Sequence, residues 1–478
     1  MEIHTMDLSK NRIPEGVETI HLIAVCGTAM GALACMLKDL GYTVTGSDQK
    51  IYPPMSRFLA QKGIRVLDGF REENLCGRPD LVVVGNAVIK NNPEAQKMFQ
   101  MGLHFCSMPQ ALNTFVAAGK KTLLVSGTHG KTTTAAILAS ILFEAGLDPS
   151  FVIGGILKNF DSNYHLGKGE FIIIEGDEYD TAFFDKGPKF MHYDPAMTVL
   201  TSVEFDHADI FSNLDHVTRI FGDFLSGLSA HSTLIACEGD PNVFNLIRNL
   251  RCRIERYGNG PNADWGLGEI SIEPPWTSFD VLKQGRAFGA FRTQLFGLHN
   301  LLNTLAAMAV ADGLKIPVGT ISHGLETFRG VKRRQEIRGQ KRRITVMDDF
   351  AHHPTAVRET IGAVRQTLSN GRLVAVFEPR THASMRKVFQ DPYAQSFDQA
   401  DLICIRKPSM LEKVPIADRI SSEKLVDDLR KRDKDAHFFA DTESIIDFLA
   451  KAARPGDLIL IMSNGGFDNI HERLLESL

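Results

Sequence analysis

The 478-residue sequence lacks any apolar run long enough to span a bilayer; Leu22–Cys26 and Leu458–Met462 fall far short of about 20 residues. Its opening residues, MEIHTMDLSKNR, contain no basic segment followed by an apolar core and a small-residue cleavage site, so no secretory leader is expected. The seven cysteines (Cys26, Cys35, Cys76, Cys106, Cys237, Cys252 and Cys404) are odd in number, scattered and never spaced as CxxC. This argues against a disulfide framework or structural zinc and points to a reducing cytoplasm. A formal net charge of −4 removes any global electrostatic reason to expect nucleic acid. Fixed-period repeats and low-complexity tracts are absent too, and the alternating charge run Arg430–Asp435 reads as a solvated face. With 44% hydrophobic and 23% charged residues, the length suggests about three globular domains.

What is present is a strand, a glycine-rich or polar turn, and a helix, in three successive segments. Ile20–Cys26 reads as a strand, followed by GTAMG and a helix over Ala32–Leu40. Tyr42–Thr45 and then Gly46-Ser47-Asp48 complete a βαβ unit, with Leu81–Val84 a further strand. Thr122–Ser126 runs into GTHGKTT and a helix from about Thr132 to Ala145, ended by Gly146. Phe171–Ile174 and Thr198–Leu200 read as buried strands with acidic residues just beyond them. Ile344–Met347, Leu373–Phe377, Leu402–Ile405 and Leu458–Met462 alternate with helical patterns. The order predicts an α/β protein with parallel strands, divided into residues 1–115, 116–332 and 333–478. Gly258–Arg292, rich in Gly, Pro and Trp, predicts a small antiparallel excursion inside the middle segment.

The segment Gly127-Thr128-His129-Gly130-Lys131-Thr132-Thr133 has the chemistry of a phosphate loop. Glycines let backbone N–H groups turn toward an anion, and a helix N-terminus adds partial positive charge. Lys131 can reach outer phosphates and the Thr132 hydroxyl can ligate magnesium. The pattern is short, with Val125 at the place of the first glycine of GxxxxGK[ST]. The run Glu175-Gly176-Asp177-Glu178-Tyr179-Asp180 puts four carboxylates at a strand end, where ligands gather in parallel α/β folds; Glu175 is a candidate magnesium ligand. Glu204-Phe205-Asp206-His207-Ala208-Asp209 follows the next strand, and His207 can complete a looser second site. Asn300 and Asn303 share a helix face, suited either to an adenine edge or to helix capping. The basic stretch Lys332–Arg343 reads as an inter-domain hinge that brings arginine to ATP, and it leads into Asp348-Asp349-Phe350-Ala351-His352-His353-Pro354.

Taken in order and spacing, GTHGKTT, EGDEYD, EFDHAD, GLHNLLNTLAA, GVKRR and DDFAHHP resemble the Mur ligases of bacterial cell-wall synthesis over essentially the whole chain. The resemblance implies a Rossmann-like UDP-sugar domain, a central P-loop ATPase domain and a Rossmann-like C-terminal domain that binds peptide and closes over ATP. It implies UDP-sugar binding by Gly27, Thr28, Ala29, Met30, Gly31, Ser47 and Asp48. It implies ATP binding by the loop residues Gly127 to Thr133, with Asn300, Arg334 and Asp349. Magnesium would be held by Thr132, Glu175 and His207, and Lys131, Glu175, His207 and His352 would be catalytic, with His353 an alternative base for the amine. Tyr52-Pro53-Pro54-Met55 and Phe377-Glu378-Pro379-Arg380 resemble the recycling branch, which joins UDP-N-acetylmuramate to the tripeptide L-alanyl-γ-D-glutamyl-meso-diaminopimelate through an acyl phosphate. Where the L-alanine-adding branch resembles His-Arg-Tyr-Thr-Arg, this chain has Arg380-Thr381-His382-Ala383-Ser384. Two further details separate it from other members: Ser202 stands where asparagine is usual, and no lysine lies between Lys189 and Lys283 to serve as a carbamylated magnesium bridge. The competing expectations are the L-alanine ligase of peptidoglycan biosynthesis and, outside enzymes, an ATP-sensing binding protein. A nicotinamide-dependent oxidoreductase is disfavoured because Gly27-x-x-x-Gly31 is not GxGxxG. No nucleic-acid or membrane partner is expected.

Overall fold

The computed structural model describes residues 7–208 and 210–478. Residues 1–6, which carry part of the leader reading, and Asp209 of the second acidic run lie outside the described residues. Three large sheets follow one another along the chain. The first holds β1 (Thr19–Ile23), β2 (Thr43–Asp48), β3 (Arg65–Asp68), β4 (Leu81–Val84) and β5 (Phe105–Ser107), in the order β3-β2-β1-β4-β5 and all parallel. This is the Rossmann-like order, and its strand sequence reverses between β1 and β4, where ligands enter such sheets. Leu81–Val84 are all fully buried, as expected for a strand covered on both faces.

The central sheet has ten strands. Around β6 (Lys121–Ser126) lie β7 (Ser150–Leu157), β8 (Ser162–His165) and β9 (Phe171–Glu175) on one side. A short ribbon, β10 (Asp180–Ala182) with β11 (Asp185–Pro188), stands apart from the sheet. On the other side of β6 lie β12 (Pro195–Leu200), β13 (Thr233–Cys237) and β14 (Arg253–Tyr257), all parallel to it. The sheet then continues as an antiparallel meander of β15 (Trp265–Glu273), β16 (Trp276–Lys283) and β17 (Arg286–Thr293), the excursion expected from the sequence. Its Trp265, Phe279, Val281 and Phe291 are buried in one core with the helices Lys131–Glu144 and Leu298–Gly313. Both helices are apolar nearly all round, because each is packed on several sides.

The third sheet orders β18 (Glu336–Lys341), β19 (Ile344–Asp349), β20 (Leu373–Phe377), β21 (Leu402–Arg406), β22 (Asp435–Phe439) and β23 (Leu458–Met462) as β18-β19-β23-β20-β21-β22. Only β18 is antiparallel, at an edge. Helices cover both faces, giving two apolar layers, one around Phe377 and Tyr393 and the other around Ile459 and Phe467.

One element differs from the sequence expectation in a way that matters for the site. The first helix begins at Thr28, not Ala32, so GTAMG is the start of the helix rather than a turn before it. Gly31 is buried there, and a Cβ at this position would meet Met55 Cε at 2.6 Å and the Val25 carbonyl at 3.2 Å. Its smallness serves helix packing.

Candidate active site in a cleft between three domains

One cleft of about 1670 Å³ is lined from all three sheets: Thr28 and Tyr52 from the first, the phosphate loop and both acidic runs from the centre, and Arg334, His352 and Arg380 from the third. The loop lies between β6 and the helix Lys131–Glu144. Gly127 and Gly130 have φ of +123° and +82°. A Cβ on Gly130 would lie 2.3 Å from Asn303 Oδ1, and one on Gly127 would lie 2.3 Å from Thr201 Oγ1. Only glycine lets the loop run this close to its neighbours. The helix makes its first backbone bond from Thr134 N to Gly130 O at 3.0 Å. The N–H groups of Lys131, Thr132 and Thr133 therefore have no acceptor within the helix and form its electropositive end.

Two loop N–H groups do not face inward as expected. Thr128 N donates to Ser202 O at 2.8 Å and His129 N to Ser202 Oγ at 3.0 Å. This gives the serine a function: it straps the loop to the end of β12. The His129 ring meets the third domain instead of the loop, 4.7 Å from the ring of His353.

Lys131 Nζ donates to Glu178 Oε1 at 2.9 Å, Gly127 O at 2.6 Å and Thr128 O at 3.2 Å. Burial alone would favour the neutral amine, but Glu178, Glu175 and Asp177 outweigh it and hold the lysine protonated. Glu178 is thus the counter-charge of the loop lysine, a pairing that the sequence run did not single out. Beside it, Lys189 pairs with Asp177 at 2.5 Å. Thr132 Oγ1 donates to Glu175 Oε1 at 2.8 Å, while Glu175 Oε2 accepts from Gly154 N at 2.6 Å. Two oxygens at this spacing match one edge of a magnesium octahedron, about 2.8–3.0 Å for metal–oxygen bonds of about 2.0–2.1 Å. His207 lines the same cleft, in a left-handed conformation with φ +50°, its ring 4.3 Å from that of Tyr179. The backbone N–H of His207 donates to Asp206 Oδ1 at 2.6 Å. Burial works against the Asp206 charge, yet the neighbouring His207 pulls that carboxyl well below the usual range.

From the third domain, Arg334 stacks 4.9 Å over Phe350 and reaches Thr132 Oγ1 at 3.4 Å. Asp349 stands close by, but its carboxylate accepts from Gln335 N and Ala351 N, both at 2.8 Å, and so shapes the turn that carries Arg334. His352 Nδ1 lies 3.0 Å from the Phe350 carbonyl. A carbonyl only accepts, so Nδ1 carries the hydrogen and Nε2 keeps its lone pair. Burial pushes the His352 pKa down, in keeping with a neutral ring. His353 caps the helix Pro354–Gln366 by accepting from Thr355 N.

Several sequence candidates have other work. Asn300 lines the cleft, and its Nδ2 donates to Phe296 O at 2.9 Å while its Oδ1 accepts from Asn303 at 3.4 Å; the N-cap of this helix is Gly297, with no side-chain cap bond. Ser47 is fully buried and donates to Glu94 at 2.7 Å. Asp48 accepts from Cys26 N at 2.9 Å and Lys50 N at 3.1 Å, fixing the turn before the first helix. Gly27, Thr28, Ala29 and Met30 do open onto a smaller cavity of about 250 Å³, shared with Lys131, Glu175 and Lys189. That cavity joins the first helix end to the phosphate loop.

Comparison with known proteins agrees with this architecture. Three family models match in succession: Mur ligase family, catalytic domain, over residues 19–120; Mur ligase middle domain, over 125–311; and Mur ligase, glutamate ligase domain, over 333–465. The chain is 38% identical to the UDP-N-acetylmuramate–L-alanyl-gamma-D-glutamyl-meso-2,6-diaminoheptandioate ligase of Escherichia coli K12, covering 96% of this chain and 98% of that one. It is 34% identical, with coverage of 96% and 98%, to the UDP-N-acetylmuramate–L-alanine ligase of Desulforapulum autotrophicum. Among solved structures, the murein peptide ligase of Psychrobacter arcticus 273-4 superposes with a TM-score of 0.71 at 34% identity, covering 96% of this chain and 98% of that one. No helix among the described residues is long and apolar enough to cross a membrane. The chain is a member of the Mur ligase family of ATP-dependent ligases.

Proposed function

We propose that this enzyme joins UDP-N-acetylmuramate to L-alanyl-γ-D-glutamyl-meso-diaminopimelate, cleaving ATP to ADP and phosphate, in murein recycling within the cytoplasm. The observation that carries the acceptor assignment is the 38% identity, across 96% of the chain, to a relative named for that tripeptide. The cleft supports the chemistry. A carboxylate is a poor acyl donor, and phosphorylation gives it a leaving group. An oxygen of the sugar carboxylate attacks the γ-phosphorus of ATP and ADP departs, leaving an acyl phosphate. Both reactants are anions, so cations must offset their repulsion. Lys131 does this as the phosphate takes the place of Glu178, and the N–H groups of Lys131 to Thr133 bind the anion at the helix end. Thr132 and Glu175, with His207 nearby, would hold magnesium, which when bound neutralises phosphate charge. Arg334 adds charge from the third domain. The peptide α-amine then attacks the acyl carbon, phosphate leaves, and His352 Nε2 takes the amine proton. The UDP-sugar enters between Gly27–Met30 and the loop, through the smaller cavity.

Two measurements test the chemistry. Lys131→Ala, assayed for ADP release with all substrates, should lose about 10²–10³ in kcat; undiminished turnover overturns the loop assignment. With oxygen-18 in the sugar carboxylate, one labelled oxygen should appear in released phosphate; unlabelled phosphate overturns the acyl phosphate.

A further inference from the structure

A second group of potential ligands stands apart from Thr132 and Glu175. His129 of the phosphate loop, Glu204 at the end of β12 and His353 of the third domain each present one donor atom, all within 4.8 Å of one another. His129 Nε2 lies 3.4 Å and His353 Nδ1 3.7 Å from the same oxygen, Glu204 Oε2. The edge of a tetrahedron around zinc, with bonds of about 2.0–2.1 Å, is about 3.3 Å, so two of three edges are nearly formed. His129 Nε2 is buried and makes no hydrogen bond. His353 Nε2 lies 3.2 Å from the Phe205 carbonyl and must donate to it, which leaves the Nδ1 lone pair facing Glu204. An outer carbonyl that fixes the tautomer of a ligating histidine is the usual support of such sites. Thr355 Oγ1 holds Glu204 Oε2 at 2.7 Å in the same way. The competing contact is Thr355 N, which faces His353 Nδ1 at 3.3 Å, a long hydrogen bond that an ion would displace.

We propose that His129, Glu204 and His353 form a binding site for a divalent transition-metal ion of the zinc class, and that the ion clamps the phosphate loop to the third domain and inhibits turnover. Two imidazoles and one carboxylate suit zinc or cobalt far better than magnesium, which prefers oxygen. All three residues line the large cleft, which leaves room for a fourth ligand there. Turnover requires the domains to part for product release, and an ion bonded to both sides opposes that step.

The test is a titration of the full chain with cobalt(II) alone, read by visible absorption, which is strong for four-coordinate nitrogen-containing sites and weak for six-coordinate oxygen sites. The wild type and His207→Asn should each bind one cobalt with strong bands, and zinc should abolish them. Glu204→Gln and His353→Asn, the latter keeping a side chain able to cap the helix, should each weaken binding at least about a hundredfold, since loss of an outer partner alone costs about 10–100-fold. In excess magnesium, zinc should inhibit ADP release by the wild type at concentrations at least about tenfold below those needed for Glu204→Gln. Weak bands in the wild type, strong bands surviving in both Glu204→Gln and His353→Asn, or their loss in His207→Asn would overturn the proposal.

Discussion

His299 opens the helix Leu298–Gly313 beside Arg334, and burial together with that guanidinium pushes its pKa down to about 4. The sign follows from linkage. The unfolded chain takes up this proton as pH falls below about 6.5, while the folded protein resists until about pH 4. The stability that rests on a neutral His299 is complete above pH 6.5 and is lost between 6.5 and 4. Because pH 5 lies only part-way through that window, the loss there should be about 1–2 kcal/mol rather than the full shift. Denaturant unfolding at pH 7.5 and pH 5 checks this: His299→Gln should narrow the difference between the two curves, and an unchanged difference contradicts the assignment. At this scale the sequence was legible where a residue acts on its neighbours and misleading where it acts across space. Lys131 and Thr132 follow from a local pattern. The partnership of Lys131 with Glu178 spans 47 residues and that of Ser202 with His129 spans 73, and no spacing rule reaches that far. The bond from Ser47 to Glu94 likewise spans 47 residues, and a polar residue at a strand end suits a ligand and a buried carboxylate equally well.

Among elements, the phosphate loop shows the closest fit between sequence and conformation. Gly130 combines positive φ with a 2.3 Å approach to Asn303 Oδ1, so Gly130→Ala must strain the backbone and displace the Asn303 side chain. The strain alone is about 1–2 kcal/mol. The expected outcome is a KM for ATP raised about tenfold or more with the overall fold retained, checked by steady-state kinetics and circular dichroism. A KM unchanged would show that the loop tolerates a side chain there. The strands were legible because apolar β-branched runs ended in glycine or acid, as in Phe171–Ile174. The start of the first helix was not, since the two glycines of GTAMG look like turn residues and Gly31 is instead a packing glycine. The antiparallel meander was visible through its loss of helical period, but its three-strand register required the buried Trp265, Phe279 and Phe291 to meet.

In the whole molecule, the central and third domains meet over the loop through Thr355 to Glu204, His129 against His353, and Arg334 to Thr132. Each contact joins residues far apart in sequence, so the basic stretch Lys332–Arg343 could suggest a hinge but not the partners that meet across it. Thr355→Val removes one hydrogen bond to the Glu204 carboxylate, worth about 1.5–3 kcal/mol, and should shift the domains toward an open arrangement. Small-angle scattering should then give a larger radius of gyration than for the wild type, and an identical profile would show that this contact does not govern closure. The central claim concerns the acceptor, and one assay addresses it most directly: ADP release with UDP-N-acetylmuramate and ATP, comparing the tripeptide L-alanyl-γ-D-glutamyl-meso-diaminopimelate with free L-alanine. A kcat/KM for the tripeptide at least about a hundredfold higher, a difference of about 2.7 kcal/mol in transition-state binding, is the predicted result. A preference for L-alanine, or no turnover with the tripeptide, would contradict it.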